Sequence, residues 1–204
     1  MTNEEIMELL NKIEGIEKLE LSGEEVTKIP DGIGGLFNLK KLKLKKTKIT
    51  ELPDTIGYLH SLEELEIEDS PISKLPDSLF DLTGLEELEL ENTELSELPD
   101  RIGELIGLEE LELNNCPLSE LPESIGKLSN LEELELSGTK ISKLPESILN
   151  LKQLKKLNLS DTPLQKLPED IGNLKELRKL NLKGTGIKEL PDSLAKYVIV
   201  SVSD

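Results

Sequence analysis

Carboxylates recur in this chain at a fixed spacing. Glu64, Glu66 and Glu68 alternate with apolar residues. So do Glu87, Glu89 and Glu91, then Glu110 and Glu112 with Asn114, then Glu133 and Glu135. Alternate residues of an extended strand share one face, so each set places its acids in a row. Such rows suit acid–base catalysis, cation binding or attraction of a basic macromolecule. Acid–base work needs burial that moves a carboxyl pKa, and an open sheet is expected to lack it. Calcium needs an irregular cage of roughly six to eight oxygens, which this pattern does not encode; a weak, unspecific association is the most it offers. The lone histidine, His60, sits on a turn, so Cys–His and Ser–His chemistry have no base to work with. No glycine-rich phosphate loop is present. The expectation is a non-enzyme with no catalytic residue, no metal site and no cofactor.

The spacing comes from a 23-residue unit that repeats eight times, L-x-x-L-x-L-x-x-T-x-I-x-x-L-P-x-x-I-G-x-L-x-x, beginning at Ile16, Leu39, Leu62, Leu85, Leu108, Leu131, Leu154 and Leu177. A fixed period of this length marks a solenoid, in which each unit buries its apolar face on its neighbours. The L-x-x-L-x-L part alternates with period two and predicts a short strand, and successive units stack these strands into a parallel sheet. The L-P-x-x-I-G-x-L part predicts a turn or short helix. Proline suits its first position, and the glycine, as in Gly57, Gly103, Gly126 and Gly172, suits its end. The residue after the L-P proline of each unit is acidic, from Asp31 to Asp192, which complements a helix N-terminus.

Both ends depart from the repeat. In residues 1–15, Ile6, Leu9, Leu10 and Ile13 mark one face of a helix, with Thr2 or Asn3 to cap it and Gly15 to end it. This predicts a lid on the open end of the core. After Leu194 the spacing breaks. Tyr197–Val202 alternates, predicting a capping strand within 195–204 with Val198, Val200 and Val202 inward.

The net charge is −18, from 42 acids against 24 bases. It opposes nucleic-acid and membrane-surface binding and favours basic partners. It also disfavours tight self-association, so a monomer is expected. One cysteine, Cys116, permits no intrachain disulfide. With an acidic N-terminus and no long apolar run, that reads as a cytoplasmic chain, with secretion by a route needing no cleaved signal as the alternative.

Over 16–199 the units resemble the leucine-rich-repeat superfamily, in its 23-residue class with L-P-x-x-I-G-x-L half-repeats. The stretch 136–148, LSGTKISKLPESI, is similar to repeats of plant immune receptors. Ser70-Pro-Ile-Ser-Lys-Leu75 and the valine-rich ending look like bacterial effector repeats. The resemblance implies an α/β solenoid: a right-handed horseshoe with a concave parallel sheet, short helices or turns on the convex side, and protein recognition on the concave face. One column departs from the family. Where many members carry asparagine, this chain has Glu24, Thr47, Ser70, Thr93, Cys116, Thr139, Thr162 and Thr185. Hydroxyls there can still satisfy backbone groups, and Cys116 is read as part of that ladder.

The third, fifth and seventh residues of each unit then face the concave side. The Leu39 unit offers Lys41, Lys43 and Lys45, the acidic rows follow, and Lys156, Asn158, Ser160 and Lys179, Asn181, Lys183 close the series. An acidic band between basic edges suits a partner protein or peptide with a basic segment. Lys–Glu boundaries such as Lys43 with Glu66 are expected to be surface pairs of little worth. Two other readings stay open. One is an idealised or engineered scaffold without a ligand, which fits the uniform units and the absence of tryptophan. The other is the recognition domain of a larger effector such as a ubiquitin ligase.

Overall fold

The computed structural model describes residues 3–12, 15–194 and 198–202. Among these residues nine strands form one sheet in sequence order, and every neighbouring pair is parallel. They are β1 (Lys18–Ser22), β2 (Lys41–Lys45), β3 (Glu64–Glu68), β4 (Glu87–Glu91), β5 (Glu110–Glu112), β6 (Glu133–Glu135), β7 (Lys156–Asn158), β8 (Lys179–Asn181) and β9 (Ile199–Ser201). The register advances by one unit per strand, so Glu64 lies beside Glu87, Glu87 beside Glu110 and Glu110 beside Glu133. The last step is shorter, and Lys179 pairs with Ile199.

Opposite the sheet, the first seven units return through a short 3₁₀ turn, from Asp31–Gly35 in the first to Ile171–Asn173 in the seventh. Strands stack about 4.8 Å apart. The turns are bulkier, so the array curves with its sheet on the inside, as a leucine-rich-repeat horseshoe does. Between the layers runs a continuous core. In the unit starting at Leu62, the side chains of Leu62, Leu65, Ile67, Ile72, Leu79 and Leu82 are buried, while Leu75 is only partly so. Full burial of such a side chain stabilises by about 1.5–3 kcal/mol before chain entropy is counted.

Two local expectations need correcting. The prolines do not occupy the first helical position. Pro30, Pro53 and Pro76 stand just before the turn in extended conformation, and their carbonyls accept the N–H groups of Ile33, Ile56 and Leu79. Nor do the glycines end the turns. A Cβ on Gly57 would lie 2.6 Å from the Ser78 carbonyl oxygen, and one on Gly126 would lie 2.5 Å from that of Ser147. These glycines let one turn press onto the backbone of the next.

The seam obeys a rule along the chain. Gly34, Gly57, Gly103, Gly126 and Gly172 are each followed, one unit on, by Thr55, Ser78, Ser124, Ser147 or Ser193. Where the glycine is replaced by Phe80 or Leu149, the small hydroxyl residue gives way to Arg101 or Asp170. Phe80 is fully buried. Arg101 straddles its seam, donating to the Asp77 carbonyl at 2.6 Å and to Asp81 at 2.7 Å.

At the N-terminal end, helix α1 (Asn3–Lys12) buries Ile6 and Leu10. The side chains of Thr2, Asn3, Leu9 and Ile13, invoked for its cap and its face, lie outside the described residues, as does Tyr197. At the other end, Val198 and Val200 pack partly against the core, but Val202 is 60% exposed. It lies beyond β9, where no further strand gives it a surface to pack on among the described residues.

Candidate binding surface on the concave sheet

The strand ends are set by two columns of polar residues. The ninth column is the hydroxyl ladder expected from sequence. Thr139, Thr162 and Thr185 donate to the carbonyls three residues back at 2.7–2.8 Å. Thr47 and Ser70 share a hydrogen bond of 2.7 Å. Cys116 is buried in the same column, 3.1 Å from the Thr93 hydroxyl and 2.8 Å from the Leu90 carbonyl. Burial pushes its thiol pKa up, which makes it a poor nucleophile.

The eighth column escaped the sequence reading. Gly23, Lys46, Asp69, Asn92, Asn115, Gly138, Asp161 and Gly184 all have positive φ. That conformation favours glycine, asparagine and aspartate, so the recurrence of those residues was a usable signal. Their side chains form a rim: Asn92 donates to Asp69 at 2.9 Å and Asn115 to Asn92 at 2.9 Å.

Charge on the concave face does not form one uniform acidic band. Lys41 and Lys43 both bind Glu64, Lys43 and Lys45 both bind Glu66, and Lys45 reaches Glu68 at 3.2 Å. This zigzag joins β2 to β3 and buries Glu64 and Glu66, which are 4% and 2% exposed. The boundary is therefore not a set of weak surface pairs. Breaking it would leave a buried charge without its partner, which is costly. Burial alone would raise the Glu66 pKa, but hydrogen bonds from Lys43 and Lys45 overcome it and hold the carboxyl at about 2. Glu64 is lowered by the same balance, with Lys41 and Lys43 as its donors. At the other edge Lys156 reaches Glu133 at 3.0 Å and Glu135 at 2.7 Å, and Asn158 donates to Glu135 at 2.6 Å.

Glu87, Glu89 and Glu91 on β4, and Glu110 and Glu112 on β5, lie between these zippers. Among the described residues no lysine or arginine is within ion-pair distance of them. Burial against the sheet raises the Glu89 pKa to about 7, with the Glu66 charge adding to it. Burial raises Glu112 to about 8, helped by a hydrogen bond with Glu110 and by the Glu89 charge. Glu87 rises for the same reasons, with Glu64 as the repelling neighbour. The expectation that an open sheet leaves its carboxyls untuned is thus overturned: crowding in register does what a closed pocket usually does. Asn114 lies just past β5, and its Oδ1 accepts the Ser137 N–H at 2.9 Å.

Could this face hold a metal ion? Among the described residues, Glu66, Glu68 and Glu89 bring carboxylate oxygens within 4.8 Å of one another. Glu66 already accepts from two lysines, so the trio is a poor fit for a calcium cage.

A leucine-rich-repeat region model matches residues 2–116, and a leucine-rich-repeat model matches 106–164 and 129–187. The chain belongs to the leucine-rich-repeat family. Among solved structures it is similar to the leucine-rich-repeat domain of the type III effector XopL. The two are 31% identical with a TM-score of 0.83, over 92% of this chain and 69% of that one. It is also similar to internalin C2 of Listeria monocytogenes, at 25% identity and TM-score 0.82, over 92% of this chain and 81% of that one. A leucine-rich-repeat protein of Leptospira interrogans matches at 28% identity and TM-score 0.70 over 93% of this chain, which spans 56% of that protein's length. A comparison with curated proteins found no match. The family is one of protein-interaction modules. Among the described residues no helix is long and apolar enough to cross a membrane.

Proposed function

We propose that this leucine-rich-repeat protein is a non-catalytic binding scaffold that takes a basic, extended segment of a partner protein across β4 and β5. One observation carries the reading. The glutamates of β3 and β6 are neutralised from within, while Glu87, Glu89, Glu110 and Glu112 between them have no cation within ion-pair distance among the described residues. Desolvating acids without pairing them is costly, and a partner that supplies ammonium groups removes that cost. The chain's own β2 displays the fitting chemistry: lysines at alternate residues, with Lys43 and Lys45 each shared between two carboxylates of the neighbouring strand. In this reading Lys41, Lys43, Lys45, Glu64, Glu66 and Glu68 pre-shape one wall, and Glu133 and Glu135 the other. Residues 1–15 and 195–204 act as lids.

The test is binding of the blocked peptide acetyl-Lys-Ser-Lys-Ser-Lys-amide at low salt, to the parent and to a variant with Glu87, Glu89, Glu110 and Glu112 changed to Ser. Binding by the parent that weakens with salt and is lost in the variant is the expected result. Equal binding by both, or none by either, sinks the proposal. A second reading, the recognition portion of a longer effector, is favoured by the match to XopL, whose structure is itself one domain of an effector.

A further inference from the structure

The C-terminal end of the concave face has a different character from its centre. β7, β8 and β9 place Lys156, Lys179 and Ile199 in one row, and Asn158, Asn181 and Ser201 in the next. A shallow cavity of about 180 Å³ lies among them. Ligand pockets for whole small molecules run to roughly 300–1,000 Å³, so this one suits a single side chain. Ile199 stands at its edge and is 66% exposed. Lys156 is held by Glu133 and Glu135. By contrast, Lys179 and Lys183 have no acidic partner within ion-pair distance among the described residues. The Asn181 Oδ1 is turned to the Lys183 N–H at 3.3 Å, so its amide N–H groups remain as donors. The patch therefore combines hydrogen-bond donors and positive charge with an apolar edge, in a chain of net charge −18.

We propose that this end of the sheet is a second docking subsite, which takes an extended peptide segment carrying a carboxylate beside an aliphatic side chain. The aliphatic group fills the cavity against Ile199, and the carboxylate meets Lys179, which lines it, while Lys183, four residues along the chain, adds positive charge from outside the cavity. Charge complementarity selects the occupant. A lysine-rich segment would be repelled here, as an acidic one would be at β4 and β5. The two subsites together recognise a partner whose charge changes sign along its length, so they fix the direction in which it lies.

Titration of the isotopically labelled protein with acetyl-Leu-Glu-amide, followed by amide chemical shifts, tests the proposal. Shifts confined to residues near Lys179, Asn181 and Ile199 are expected. Lys179→Ser and Lys183→Ser should each weaken binding by about two- to fivefold, the loss of one exposed charge contact. Ile199→Ser should do so with both lysines intact. Each variant's thermal melt shows whether it still folds. Acetyl-Leu-Lys-amide is the control. Shifts scattered over the sheet, equal shifts with both peptides, or unchanged binding in folded variants would overturn the proposal.

Discussion

Glu66 and Glu112 occupy the same column of one sheet, yet their carboxyls sit at about 2 and about 8. The difference is the neighbour. Glu66 has lysines on the adjoining strand; Glu112 has Glu89 and Glu135 as its neighbours on the two adjoining strands. Stability should follow. Glu89 and Glu112 hold protons more tightly folded than unfolded, so they oppose folding increasingly as pH rises from the ordinary carboxyl value of 4.5 toward 8. Glu66 acts in the opposite sense: its contribution is present above 4.5 and is lost as pH falls toward 2. Thermal melts should therefore show stability rising from pH 8.5 to about 5 and falling below about 4. Glu112→Gln should raise the melting temperature at pH 8.5 and leave it nearly unchanged at pH 5. A variant that gains equally at both values would show that repulsion is not the cause. At this scale the sequence was partly legible. The hydroxyl ladder could be read from its column, because the chemistry is local to one position. The shifted carboxyls could not, because they depend on burial and on how far each lysine reaches.

The 3₁₀ turns and the strands differ in how plainly the sequence announces them. The strands follow from period-two alternation. The turns were placed correctly, but the glycines' purpose was misread, because end-of-helix glycine and close-approach glycine leave the same letter. Only contact with the next unit separates them. Substitution makes the distinction measurable. Gly57→Ala, with its new Cβ 2.6 Å from the Ser78 carbonyl oxygen, should destabilise by about 1–3 kcal/mol through forced separation of two turns. Gly84→Ala, with nothing within 4 Å, should be near neutral. Equal effects on the midpoint of denaturant unfolding would mean that the glycines serve backbone freedom and not inter-unit packing. The covariation of Gly57 with Ser78, against Phe80 with Arg101, is a sign of this packing that a single unit read alone cannot give.

Across the whole molecule, the solenoid turns a local alternation into a long charged surface. Its architecture was legible because one period repeats through nearly the entire chain. The charge pattern was legible only in outline. The band from Glu64 to Glu135 separates into two internally paired flanks and an unpaired centre, a division set by strand register and lysine length. That unpaired centre is the core of the functional account. Within it Glu87, Glu89 and Glu112 carry raised pKa values, so a basic segment docking there at neutral pH must displace protons. Calorimetric titration of acetyl-Lys-Ser-Lys-Ser-Lys-amide into the protein at pH 7, in two buffers of different ionisation heat, measures that displacement directly. The account predicts binding whose heat differs between the buffers with the sign of proton release, and the loss of that difference in the Glu89→Gln, Glu112→Gln double variant. Binding heats independent of buffer, or proton release unaltered by the double variant, would contradict it.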